Sequence, residues 1–123
     1  GKIEVNVRTI DEVSKELKID QINFIKIDVE GFESDVLSGA KNLLKNKKIE
    51  YILFELQDTI LHSINRTSSE VFEIIFNAGY QIIDLNGNIM ADSINSIPNG
   101  DYLACLDGIE TAKKLATSEF DLN

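Results

Sequence analysis

Asn23-Phe24-Ile25-Lys26-Ile27-Asp28-Val29-Glu30-Gly31-Phe32-Glu33 is the stretch that decides the fold. Residues 22–29 are nearly continuous in β-branched and aromatic side chains, the composition of a strand covered on both faces in a parallel sheet, so a central strand is expected there. Glu30-Gly31 breaks the run. Beyond it Phe32, Val36, Leu37, Ala40, Leu43 and Leu44 recur at helical spacing. That spacing predicts one helix, closed by Lys45, Lys47 and Lys48, cations suited to the negative end of its dipole.

Working outward, residues 49–56, Ile-Glu-Tyr-Ile-Leu-Phe-Glu-Leu, form a second dense apolar run that carries Glu55 near its end. Strand, helix and strand in that order imply a right-handed parallel crossover. After a polar connection, Thr67-Ser68-Ser69-Glu70 is a capping box. It opens a helix with Val71, Phe72, Ile75 and Phe76 inward and Gly79 as its stop. Residues 80–85 read as a third strand. The turn signal Asn86-Gly87-Asn88 and a polar stretch with Pro98-Asn99-Gly100 then lead to a last strand at residues 102–106, expected antiparallel to the third through a long loop. Upstream, Ile3, Val5 and Val7 alternate with polar residues as in an edge strand. Thr9-Ile10-Asp11-Glu12 caps a short helix with Ile10, Val13 and Leu17 on one side. Residues 1–108 are assigned to the domain, and residues 109–123 to a short helix or frayed tail.

The chain has 123 residues, 12 basic and 21 acidic, for a net charge of −9. Area scaling for this mass gives roughly 6,600 Å² exposed when folded against about 20,000 Å² unfolded, enough burial for one core. The negative charge repels phosphate backbones and anionic lipid surfaces, so neither nucleic acid nor a membrane surface is an expected partner. Cys105 has no second cysteine to pair with and sits in an apolar run, as a buried small hydrophobe does. A reducing compartment, the cytoplasm, is expected. One histidine and one cysteine are too few for a three-ligand zinc site, and no metal is expected.

Residues 23–33, followed by Val36-Leu37-Ser38-Gly39-Ala40, resemble the hallmark of FkbM-type S-adenosylmethionine-dependent methyltransferases. Thr9-Ile10-Asp11 and Tyr51-Ile52-Leu53-Phe54-Glu55-Leu56 look like the steps before and after it. The resemblance spans roughly residues 3 to 106. It implies an α/β fold: a mostly parallel sheet flanked by helices with an antiparallel last strand, like the carboxyl-terminal half of a class I, Rossmann-like methyltransferase. In that frame residues 22–29 stand for the fourth strand and residues 49–56 for the fifth. The Gly-rich turn of the family's first strand has no counterpart, since Gly-x-Gly occurs nowhere in the chain. The resemblance therefore implies S-adenosylmethionine as cofactor of the whole enzyme and inactivity of this part alone.

Methyl transfer to an oxygen needs in-line placement of the acceptor and removal of its proton, tasks that suit carboxylates. Asp28, Glu30 and Glu55 are the candidate catalytic residues, with Asp28 also on the cofactor side. Gly31, Glu33 and His62 are candidate substrate-binding residues. A plainer reading competes: Asp28 caps backbone N–H groups, Glu33 complements a helix dipole, His62 is a solvated loop residue and Lys26 a snorkelled structural one. The expected acceptor is a small molecule or sugar bearing a hydroxyl. From another class, an interaction module would pair or homodimerise through the exposed edge of the strand at 22–29. A phosphoacceptor receiver domain fits poorly, for it needs a late strand-terminal lysine where this chain has Asp107-Gly108. A (β/α)₈ barrel is excluded by length.

Overall fold

The computed structural model describes residues 9–91 and 96–117, so the strand expected around Ile3, Val5 and Val7 and the tail beyond Thr117 lie outside the described residues. In chain order the elements are α1 (Ile10–Glu16), β1 (Ile22–Ile27), α2 (Glu33–Ser38), α3 (Lys41–Lys45), β2 (Ile49–Leu56), α4 (Asp58–Ser63), α5 (Ser68–Asn77), β3 (Gln81–Asp84), β4 (Gly100–Cys105) and α6 (Ile109–Thr117). The four strands make one sheet in the order β1-β2-β4-β3. β1 and β2 pair in parallel, and β4 runs antiparallel to both β2 and β3. Three strands therefore share one direction. Yet only the β1–β2 pairing is parallel, because the last strand inserts between β2 and β3 rather than adding outside them.

Two layers bury the sheet. On one face Ile27, Ile52, Phe54, Leu56, Ile82 and Tyr102 meet Leu37, Leu44, Leu61, Val71, Phe72 and Ile75 from α2, α3, α4 and α5. On the other, Leu53, Ile83, Leu103 and Cys105 pack on Ala112 and Ala116 of α6. Small side chains at those two positions let α6 lie close to the strands. Cys105 is fully buried, and that burial pushes its thiol pKa up, as a packed, unreactive sulfur requires.

The central position expected for residues 22–29 is not what the described residues form. β1 is a sheet edge, and Phe24 is 44% exposed on the face it shares with Lys26. That face carries Tyr51 and Leu53 on β2, opposite Phe24 and Lys26, while α6 packs against β3 and β4. Apolar composition alone cannot tell a strand covered twice from one covered once.

The single helix expected after Gly31 is also two. α2 ends at Gly39, whose ideal Cβ would lie 3.1 Å from Thr9 Cβ, so α1 approaches there closely enough that a side chain would press on Thr9. The Asp11 carboxylate then accepts from the backbone N–H groups of Asn42 (2.9 Å) and Leu43 (3.1 Å). It caps α3 from 31 positions away, where Ala40 offers no side-chain cap. Leu17, beyond the end of α1, and Phe32, ahead of the first turn of α2, are exposed rather than inward. Both helices carry the hydroxyl cap that the sequence reads: Thr9 accepts from Glu12 N–H and Thr67 from Glu70 N–H, while the Glu70 carboxylate accepts from Arg66 at 3.2 Å. Residues 58–63, expected as a polar connection, form α4 because Leu61 finds the core.

Candidate functional site

The carboxyl ends of β1 and β2 and the start of β4 meet at one rim. Asp28 follows β1, and Glu55 is the penultimate residue of β2. The antiparallel register sets Asp101 of β4 directly opposite Glu55. Lys26, Asp28, Glu55 and Asp101 line a small cavity of about 50 Å³ with Ile27, Leu53 and Phe54 as its apolar wall. Beneath it, Phe72 meets Phe54 edge-on at 6.1 Å and Tyr102 at 5.1 Å between ring centres. Phe54 and Tyr102 are the chain neighbours of Glu55 and Asp101, so this aromatic cluster fixes the backbone that presents the two acids.

Burial raises the Asp101 pKa, the negative charges of Glu55 and Asp28 raise it further, and a hydrogen bond shared with Glu55 adds to that; Lys26 acts in the opposite direction. A carboxyl so placed holds its proton to higher pH than an exposed one. Glu55 Oε1 also accepts from Gln57 Nε2 at 2.8 Å, which orients it. Asp101 was not among the residues expected from sequence. The signal was present: once residues 102–106 run antiparallel to residues 49–56, an acid just ahead of Tyr102 must fall beside the end of β2.

The other candidates lie apart from that cavity. Glu30 is exposed with φ of 44°, and Gly31 follows at 102°, two left-handed residues that turn the chain from β1 into α2. Gly31 is buried, its ideal Cβ 3.0 Å from Ile64 Cδ1 and 3.1 Å from Ile60 Cγ2, so α4 and its flank close over the turn. Glu33 is only 3% exposed in the first turn of α2. Its Oε2 and the neighbouring Ser34 Oγ are buried without a hydrogen-bond partner among the described residues. His62 is exposed in the last turn of α4. Among the described residues no group of three or more His, Cys, Asp or Glu side chains is arranged to hold a metal ion. None of their helices is long and apolar enough to cross a membrane.

A mixed α/β sheet with an acidic rim at the ends of its parallel strands is an architecture compatible with group-transfer enzymes. The family model described as the methyltransferase FkbM domain matches residues 1–82 of the 123, and the chain belongs to that methyltransferase family. Neither the curated proteins nor the solved structures contain a match to it.

Proposed function

We propose that this chain forms the acceptor side of an S-adenosylmethionine-dependent methyltransferase site, moving a methyl group to a hydroxyl oxygen of a small molecule or sugar. The observation that carries the proposal is the meeting of Asp28, Glu55 and Asp101 at the carboxyl ends of β1 and β2. Ligands of open α/β sheets bind outside that edge. The strand order, with an antiparallel strand inserted last, supports a likeness to the second half of a class I methyltransferase sheet. The donor set fits the cofactor, because carboxylates complement a sulfonium and an ammonium and can accept from ribose hydroxyls. When bound, S-adenosylmethionine supplies a methyl group on a positively charged sulfur.

Asp28, at the tip of β1, is the residue that would hold the cofactor. Glu55 and Asp101 form a hydrogen-bonded acid pair that would accept the acceptor's hydroxyl proton, while Lys26 tempers the negative charge of the rim. Fully buried Cys105 supports a reducing, cytoplasmic setting. With no Gly-x-Gly turn in these 123 residues, the chain supplies one wall of the cofactor site, and by itself binds S-adenosylhomocysteine negligibly. Calorimetric titration of the chain should show no saturable heat; saturable micromolar binding overturns the one-wall reading. Methyl transfer should arise once a polypeptide carrying a Gly-rich strand-turn is joined ahead of Gly1. In that protein Glu55→Gln and Asp101→Asn should each lower kcat, and unchanged kcat in both overturns their assignment.

A second reading, association through the edge of β1, is favoured by the distribution of exposed apolar side chains. Leu17, Ile19, Phe24, Val29 and Phe32 all fall in the segment that contains this edge strand. The expected partner is a second copy of the chain. Light scattering at rising concentration should show dimer, and a strict monomer at high concentration overturns this reading.

A further inference from the structure

At the opposite end of the sheet from the acidic rim, where the connections into β2 and β3 lie, a groove of about 600 Å³ opens between α2, α3 and the end of α5. Buried Leu37 and Leu44, with half-buried Ile74, make its floor, and the exposed Lys41, Lys45 and Lys47 stand around it. Its volume lies within the about 300–1,000 Å³ typical of binding cavities. The chain has 21 acidic residues, yet no carboxylate lines this groove.

α3 divides its side chains between two neighbours. Asn42, Leu43 and Asn46 line the cleft against α1 together with Asp11, whereas Lys41, Leu44 and Lys45 line the groove. Lys45 lies in the last turn of α3. Lys47 follows with φ of 56°, and its Nζ comes 3.7 Å from where a Cβ on Gly79 would sit, just past the carboxyl end of α5. Both cations therefore complement a helix end. Lys41 does not. It opens α3, where free N–H groups favour an anion, and it repels Lys45 four positions on. Among the described residues none of the three lysines forms an ion pair. Their positive charge is thus unspent beside an apolar floor.

We propose that this groove docks a short acidic amphipathic segment of a partner protein, whose apolar side chains seat on Leu37, Leu44 and Ile74 while its carboxylates pair with Lys41, Lys45 and Lys47. Charge complementarity selects that occupant, because three cations surround an apolar floor that presents no anion. The net charge of −9 narrows the choice further. An extended polyanion or an anionic membrane meets repulsion from the rest of the surface, whereas a segment no longer than the groove meets the lysines alone. A second copy of the chain carries the same repulsive charge. The groove lies away from the carboxyl ends of β1 and β2, so docking here leaves the acidic rim open, and the inference stands apart from the methyltransferase reading.

The test is fluorescence anisotropy of the full 123-residue chain with a labelled peptide of about twelve residues, roughly three helical turns, carrying leucines on one face and glutamates on the other. Binding should saturate. It should weaken about tenfold or more with Lys41→Glu and Lys45→Glu together, and persist with arginine at both positions. Should the double reversal unfold the chain, Lys41→Gln alone should weaken binding about threefold while leaving the melting temperature unchanged, since Lys41 complements no helix end. Peptides with lysine in place of glutamate, or serine in place of leucine, should not bind. Nitrogen-15 NMR with the leucine-glutamate peptide should shift residues 37–47 and 74–79. No saturable binding, unchanged affinity in the lysine variants, or shifts confined to other residues overturns the inference. Tighter binding of a thymidine oligonucleotide or of phosphatidylserine vesicles overturns the choice of an acidic protein segment.

Discussion

Raising the pH should loosen this fold through one phenol. Tyr80 stands at the threshold of β3, 3% exposed, and its hydroxyl donates to the backbone carbonyl of Ile49 at the start of β2. Burial pushes its pKa from 10.0 up to about 12. The folded chain therefore keeps this proton where the unfolded chain gives it up. The stabilisation is complete below pH 10 and is lost as the pH climbs toward 12. With those two values, linkage gives a loss of about 1.4 kcal/mol by pH 11 and about 2.3 kcal/mol by pH 12. Tyr80→Phe removes the hydroxyl and with it the titration. At pH 8 the variant should be less stable by about 1 kcal/mol for the lost hydrogen bond. The gap should close between pH 10 and 11 and be reversed at pH 11 and above. Tyr51 and Tyr102, whose pKa values burial also raises, titrate in both proteins, so the difference between them isolates Tyr80. Urea unfolding followed by far-ultraviolet circular dichroism at pH 8, 10, 11 and 12 measures that difference. Stability lines that fall in parallel across this range refute the reasoning.

The rim acids give a pH dependence of the same sign at lower pH, but with a substitution that stabilises. Asp101 has a folded-state pKa raised above 3.8, so folding favours its protonated form, and this stabilisation is lost as the pH rises past about 4. Asp101→Asn should accordingly melt above the parent protein at pH 7 and lose that advantage at pH 3; a lower melting temperature at pH 7 contradicts the crowding of charge at the rim. Gly31→Ala should cost about 2–4 kcal/mol in urea unfolding. The φ of 102° is strained for alanine and its Cβ would press on Ile60 and Ile64, so a neutral substitution would mean that α4 does not close over this turn.

What the sequence made legible is local or periodic. Both capping boxes rest on a hydroxyl and an N–H three residues apart, so Thr9 and Thr67 announce their helices without help from the rest of the chain. The residue range of β2 follows from eight consecutive residues that suit a buried strand. What escaped is long-range. The break between α2 and α3 depends on Thr9 packing at Gly39 and on Asp11 capping α3 from across the fold, contacts that no periodicity encodes. The exposure of Phe24 depends on what covers a sheet face. Of the candidate site, Asp28 and Glu55 were found because strand-terminal acids are visible in sequence. Asp101 was missed because its place depends on which strand β4 joins.

That dependence is the physical basis of the rim. In a parallel neighbour of β2 the residue beside Glu55 would come from near the neighbour's own end, far along the chain from the loop that leads into that strand. The antiparallel insertion of β4 instead delivers the first residues of a strand to that point, so Asp101 stands beside Glu55 while still attached to Pro98, Asn99 and Gly100. Side chains alternate along a strand, and the register that places Tyr102 opposite Phe54 in the aromatic cluster also turns Asp101 toward Glu55 on the other face. A slip of β4 by one residue would exchange the two, burying a carboxylate among Phe54 and Phe72 and removing the acid pair from the rim. The apolar cluster that stabilises the sheet is therefore also what sets the chemistry at its edge. Selection for the packing of Phe54, Phe72 and Tyr102 and selection for the Glu55–Asp101 pair act on one and the same strand register.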